Sequence, residues 1–236
     1  MLARVYLPQL LTALFGGIFV ACGMLSFGNA YIFDRLFIGI IIFTAAVCYR
    51  NINIVSVLAI ILLQRCIEEF AWFSLSNAFV IKEFLYCLAL ALAIYLRFDP
   101  FAKFVGLTLV LVIGAEFYWY MADYIAPEIY WHVALMMINL FSRYLVFSRL
   151  DIVDRLFPGR GRSTNLDWII YRLMGTTIII QCAVLIEYLV RHLLGYSNVL
   201  IIYYSYPYLM HAIGMFAIWA TFNESYKQLL PRLLKA

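Results

Sequence analysis

The chain has 236 residues, 66% of them hydrophobic and 13% charged, with a formal net charge of +4 and a mean hydropathy of +0.93. Ordinary soluble domains carry about 25% charged residues, so this composition excludes a soluble globular enzyme, and no nucleic-acid partner is expected. Ten-residue segments of alternating polarity, the mark of a membrane β-barrel, are not found either.

The composition fits an all-α, polytopic helical bundle with the lipid bilayer as its main partner. Crossing a hydrocarbon layer of about 30 Å takes about 20 apolar residues, so short connections allow about eight transmembrane helices in a single membrane domain over 1–236. The first is expected over 8–27. It begins like a secretory signal, with Arg4 ahead of the apolar run Leu10–Leu25. In the string FVAC ending at Cys22, however, Phe19 stands where a lipoprotein site wants Leu, so the segment reads as an uncleaved anchor. A Gly28-Asn29 turn leads to span 2 over 31–49. Span 3, over 52–70, carries Gln64, Arg65, Glu68 and Glu69 towards its far end. Span 4 covers 79–97 and stops before Asp99-Pro100, because proline disfavours helix in the residue preceding it. Span 5 (104–124) and span 6 (128–147) are joined by a short turn, with Pro127 near the start of span 6, where a missing N–H costs nothing.

The stretch 147–168 (FSRLDIVDRLFPGRGRSTNLDW) is the one long polar break, with Arg149, Arg155, Arg160 and Arg162. A short interfacial helix is expected within it, closed by Pro158-Gly159. Span 7 (167–190) is capped by Ser163, Thr164 or Asn165. Span 8 (199–221) has Pro207 inside it, where a kink is expected, and the tail reads as an interfacial amphipathic segment. A basic loop over 148–166 stays cytoplasmic. With eight spans both termini are then cytoplasmic too, and only Arg35, Arg65, Lys82 and Arg191 of the 17 lysines and arginines fall on the outer side. The expected location is the cell (inner) membrane.

Acidic residues distribute the other way: Asp34, Glu68, Glu69, Glu83, Glu116, Asp123, Glu128 and Glu187 lie in the outer half. Glu116 sits about 12 Å below the outer end of span 5, at 1.5 Å per residue, a depth at which a carboxylate facing lipid is costly. Helical phase groups the polar residues into stripes. On span 6, Glu128, His132, Asn139 and Arg143 fall within about 60° of one another. Glu116, Tyr120 and Asp123 share a face of span 5. Span 7 carries Arg172, Thr176, Glu187 and Arg191, with Glu187 and Arg191 at ion-pair spacing. Span 8 adds Tyr204, Tyr208 and His211, and span 3 adds Asn53, Gln64 and Glu68. The candidate polar interior is therefore Glu116, His132, Glu187, Asp123, Glu128, Asn139, Arg191 and Glu68, with Glu116 and His132 expected to face one space and to titrate together.

Each feature also has a plain structural reading. Arg143 and Arg172 snorkel to the inner headgroups; His211 is a satisfied interhelical hydrogen bond; tyrosines and tryptophans at span ends form the interfacial belt. The cysteines Cys22, Cys48, Cys66, Cys87 and Cys182 lie in predicted spans without a CxxC pair and read as packing residues, with a Cys66–Cys87 disulfide left open. The segments QRCIEEF (64–70) and VLIEYLV (184–190) hint at a four-plus-four parallel repeat. No P-loop, HExxH or GxSxG motif occurs, and neither a cofactor nor a metal site is expected. The leading expectation is a multi-pass membrane protein whose outward-facing polar interior handles a small solute, ion or proton. The rival is a non-catalytic membrane subunit or scaffold that docks a membrane-protein partner or anionic lipid through the basic loop. An intramembrane enzyme acting on lipid or envelope intermediates comes third.

Overall fold

The computed structural model describes residues 2–75, 79–125, 129–196, 198 and 200–233, and among them it contains eight helices and no strand. In chain order these are α1 (Leu2–Ser26), α2 (Ala30–Cys48), α3 (Ile52–Leu75), α4 (Phe79–Tyr95), α5 (Pro100–Met121), α6 (Tyr130–Leu156), α7 (Asn165–Leu194) and α8 (Ile201–Leu233). Each of the eight segments expected from the sequence lies on its own helix. Four of these helices contain stretches long and apolar enough to cross a membrane: Tyr31–Cys48, Pro100–Met121, Tyr130–Leu156 and Asn165–Leu194. In α3 the apolar stretch is interrupted by three charges, Arg65, Glu68 and Glu69, and the first turns of α8 are rich in tyrosine, which lowers its mean hydropathy.

Local chemistry explains most helix ends. Gly28 takes a positive φ of 77°, and Asn29 then caps α2 by accepting from the Ile32 N–H at 3.1 Å. Pro100 opens α5, and the Asp99 carboxylate accepts from the Phe101 N–H at 3.0 Å. Thr164 and Asp167 form a reciprocal cap at the start of α7: Asp167 Oδ2 accepts from the Thr164 N–H (2.6 Å), and Thr164 Oγ1 accepts from the Asp167 N–H (3.3 Å). Gly195, at φ 73°, follows the end of α7.

Two helices run further than hydropathy alone suggests. The short interfacial helix expected after span 6 is a continuation of α6, unbroken to Leu156. Nothing between Phe147 and Phe157 stops a helix: Ser148 turns its hydroxyl back onto the Tyr144 carbonyl at 2.9 Å, and the first breaker is Pro158-Gly159 (Gly159 φ 75°). Likewise α8 continues past Pro207 and takes in the described part of the tail, to Leu233.

The chain resolves into two compact units. One comprises residues 1–58, 150–169 and 208–236. Its core is Phe19, Met215 and Ile218, with Phe33, Phe37 and Phe222 packed around them. Hydroxyl ties join α2 to α8 here: Ser225 Oγ donates to Thr44 Oγ1 at 2.8 Å, and Thr44 Oγ1 donates to the Thr221 carbonyl at 3.4 Å. Gly214 has no spare room, since a Cβ there would lie 2.6 Å from the Phe33 ring. His211 donates from Nε2 to the Gly23 carbonyl at 2.8 Å, tying α8 to α1 as an interhelical hydrogen bond.

The other unit comprises residues 59–149 and 170–207. Its core packs Ala89 and Ala93 of α4 against Val105 and Leu109 of α5, and adds Met136 of α6 and Leu185 of α7. Small residues let α4 and α5 approach closely, as membrane helices do when lipid offers no hydrophobic drive for association; a Cβ on Gly106 would sit 3.8 Å from that of Ala93. All five cysteines are free thiols.

Candidate functional site

Every described residue of the candidate site lies in the second unit, 59–149 and 170–207. There, α6 presents two polar side chains on one face, His132 and Asn139, seven residues and about two turns apart. Asn139 is buried at 4% exposure and receives a hydrogen bond at 3.3 Å from Gln64 Nε2 of α3. Gln64 Nε2 also donates to Glu68 Oε1 at 3.0 Å, and Arg65 donates to Glu68 Oε2 at 2.9 Å. The Asn139 amide closes its own account by donating to the Leu135 carbonyl at 2.8 Å. A polar chain thus links α3 to α6.

Two turns away, His132 Nδ1 lies 2.9 Å from Gln181 Oε1 of α7, and Gln181 Nε2 donates to Tyr206 Oη of α8 at 2.8 Å. An amide oxygen only accepts, so Nδ1 carries the proton and the lone pair of the neutral imidazole stays on Nε2. The Tyr206 ring meets the imidazole edge-on at 5.3 Å between centroids. Gln181 is fully buried at 0% exposure, and its amide has both a donor and an acceptor role filled. The result is a chain of hydrogen bonds from α6 through α7 to α8, centred on Gln181, with the His132 imidazole at one end and the Tyr206 phenol at the other.

The remaining expected site residues go elsewhere. Half-buried Glu116 accepts from Tyr86 Oη of α4 at 2.5 Å. Glu187, buried at 7% exposure, accepts from the backbone N–H groups of Ile202 (2.7 Å) and Tyr203 (2.9 Å), so it caps α8 from α7. Glu116, His132 and Glu187 therefore have partners on three different helices, and no hydrogen bond joins any two of them. No ion pair links Glu187 to Arg191 among the described residues, and Arg191 Nε is buried without a hydrogen-bond partner among them. Asp123 is exposed in the turn after α5, at φ 51°. Glu128 lies outside the described residues. Tyr120, expected to share the Glu116 face, is 80% exposed.

Arg143 departs from the snorkelling expectation. It is buried at 5% exposure, donates from Nε to Asp99 Oδ2 at 3.0 Å, and donates from a terminal nitrogen to the Tyr171 carbonyl at 2.6 Å. Its guanidinium lies between the Phe101 and Tyr171 rings, at 4.1 and 3.5 Å from their centroids. Asp99 supplied the counter-ion, and its position in a distant loop kept the pairing out of helical phase. Arg172 is exposed.

Gln181, Tyr206 and Tyr86 lie outside the polar stripes that helical phase picks out. Gln181 lies nine residues after Arg172 on α7, on the opposite side of the helix from Arg172 and outside the stripe at Arg172, Thr176, Glu187 and Arg191. Its one available signal was an amide alone in the apolar run TTIIIQCAVLI. Among the described residues no three His, Cys, Asp or Glu side chains come together as a metal-binding group would require.

The Tyr86–Glu116 bond gives a direct test of whether that carboxylate is structural. Glu116→Gln keeps an acceptor oxygen for Tyr86, so detergent unfolding is expected to shift by less than about 1 kcal/mol. A larger loss would mean that the negative charge itself holds α4 to α5. Neither a protein-family model, nor a curated protein, nor a solved structure matches the chain.

Proposed function

We propose that the chain is a multi-pass inner-membrane protein of eight spans, with both termini and the basic loop cytoplasmic, whose polar network moves a proton or a small hydrogen-bonding solute. The observation that carries this reading is the bonded series His132–Gln181–Tyr206, with a titratable imidazole at one end and a phenol at the other. Polar groups at membrane depth are costly, so linked ones that include a titratable histidine mark a pathway by default. Glu68, Gln64 and Asn139 extend the polar face along α3 and α6.

The test is proton flux in proteoliposomes carrying an internal pH-sensitive dye. Wild-type protein is expected to dissipate an imposed gradient faster than empty vesicles. His132→Ala and Gln181→Leu should each lower the rate at least tenfold, the latter because a leucine of similar volume breaks the series. Unchanged flux in both variants would reject the pathway. The rival scaffold reading draws support from Arg143–Asp99 and the Glu187 cap, in which polar groups serve only to tie helices. On that reading Gln181→Leu lowers stability and leaves no flux to lose.

Topology has its own check. Exposed Ser163 and Asn198 are suitable sites for single cysteines in an otherwise cysteine-free chain. With an impermeant thiol reagent on intact cells, Ser163→Cys is expected to stay unlabelled and Asn198→Cys to react. Labelling of both, or of neither, contradicts an odd number of crossings between them.

A further inference from the structure

In the unit formed by residues 1–58, 150–169 and 208–236, two basic segments far apart in sequence are stitched together by one buried side chain. Asn53, 8% exposed at the start of α3, donates from Nδ2 to the Arg160 carbonyl (3.0 Å) and accepts at Oδ1 from the Arg162 N–H (2.8 Å). This lays the loop after α6 against the turn between α2 and α3, which carries Arg50. Gly161 lets the loop fold back onto the end of α6, since a Cβ there would lie 3.1 Å from the Leu150 carbonyl oxygen. The Arg50, Arg155, Arg160 and Arg162 residues are all exposed.

The same segment contains three acids, and two of them are committed to the backbone. Asp154 Oδ1 accepts from the Gly159 N–H at 2.8 Å, and Asp167 Oδ2 accepts from Thr164. Only Asp151 stands exposed without such a role. Guanidinium groups suit planar, bidentate recognition of phosphate oxygens better than ammonium groups do. Exposed apolar side chains interleave with the arginines: Leu156 at 68%, Phe157 at 42% and Trp168 at 56%. Basic and apolar residues alternating at helix ends match the depth profile of a lipid headgroup layer, where charge meets phosphate and rings sit beside glycerol.

We infer that Arg50, Arg155, Arg160 and Arg162, held in place by Asn53, form a binding site for the phosphate-bearing headgroup of an anionic phospholipid. Asn53 is the positioning residue: it touches no lipid and fixes the backbone from which Arg160 and Arg162 project. The site requires that these helix ends lie at a bilayer surface and is independent of any flux through the His132 network.

The test is the unfolding temperature of the full chain in detergent micelles, titrated with phosphatidylglycerol, phosphatidylcholine or inorganic phosphate. Phosphatidylglycerol is expected to stabilise wild-type protein at far lower concentration than phosphatidylcholine does. Each basic residue near an anionic membrane surface contributes about a fivefold effect on binding, so the triple variant R155Q/R160Q/R162Q should need about a hundredfold more phosphatidylglycerol. Its phosphatidylcholine response should match wild type, which also verifies its fold. Asn53→Ala keeps every charge and should weaken phosphatidylglycerol binding about fivefold. An unchanged response in the triple variant overturns the site. Equal stabilisation by inorganic phosphate at matched concentration overturns the lipid as ligand in favour of a free anion, and an Asn53→Ala response equal to wild type removes Asn53 from it.

Discussion

Arg143→Ala is expected to be among the most destabilising single substitutions in the chain, costing about 3 kcal/mol, at the lower end of what breaking a buried ion pair costs. The lower end applies because the Asp99 side chain remains 22% exposed and the orphaned carboxylate is partly hydrated. The loss has three sources: the bond to Asp99, the bond to the Tyr171 carbonyl, and the stacking between Phe101 and Tyr171. Arg143→Lys keeps the charge and loses the planar fork, so a cost of about 1–2 kcal/mol is expected. Asp99→Ala should exceed a simple pair deletion, since the same carboxylate caps α5. Gly175→Ala strikes the same cluster, because its Cβ would lie 2.8 Å from an Arg143 nitrogen and 2.9 Å from the Phe101 ring. Unfolding in detergent reads all four. A cost below 1 kcal/mol for Arg143→Ala would show that the guanidinium is dispensable.

Glu187→Ala is the second large effect. The carboxylate satisfies two of the N–H groups that every helix leaves orphaned at its start, and its charge meets the positive end of the α8 dipole. Removing a buried, charged cap with two short bonds is expected to cost about 2–3 kcal/mol. Glu187→Gln should cost about half as much, because one oxygen remains while an NH2 group faces the other donor. Hydrogen exchange localises the effect: the amides of Ile202 and Tyr203 should exchange faster in Glu187→Ala. Loss of stability with no change at those two amides would place the role of Glu187 elsewhere.

Much of the architecture was legible because helix boundaries are written in short-range chemistry. Asn29 after Gly28, Asp99 before Pro100, and Thr164 with Asp167 each act within four residues, the range that inspection of a sequence covers well. The extensions of α6 and α8 were not legible from hydropathy, since a helix that leaves an apolar layer changes the polarity of its side chains without changing its backbone. The polar face of α6 was visible from phase, and His132 and Asn139 do engage neighbouring helices. Their partners were hidden. Which groove Gln181 or Tyr206 fills depends on helix rotation and pairing, and neither is encoded in the period of one segment. The Glu187–Arg191 spacing misled for a related reason: a local ion pair at i,i+4 is worth a few tenths of a kcal/mol, and two backbone donors on α8 outbid it.

The fusion of the expected interfacial helix with α6 bears on how far the basic loop stands from the middle of a bilayer. At 1.5 Å per residue, the 27 residues of α6 measure about 40 Å, against a hydrocarbon layer of about 30 Å. In a chain placed in a membrane as proposed, the surplus two turns act as a rigid stilt. They hold Arg155 and the glycine–arginine loop at the height of the phosphates by helix length rather than by loop slack. Adding or removing a turn of α6 before Arg155 would then retune the elevation of Arg155, Arg160 and Arg162 together, leaving the loop's own sequence untouched.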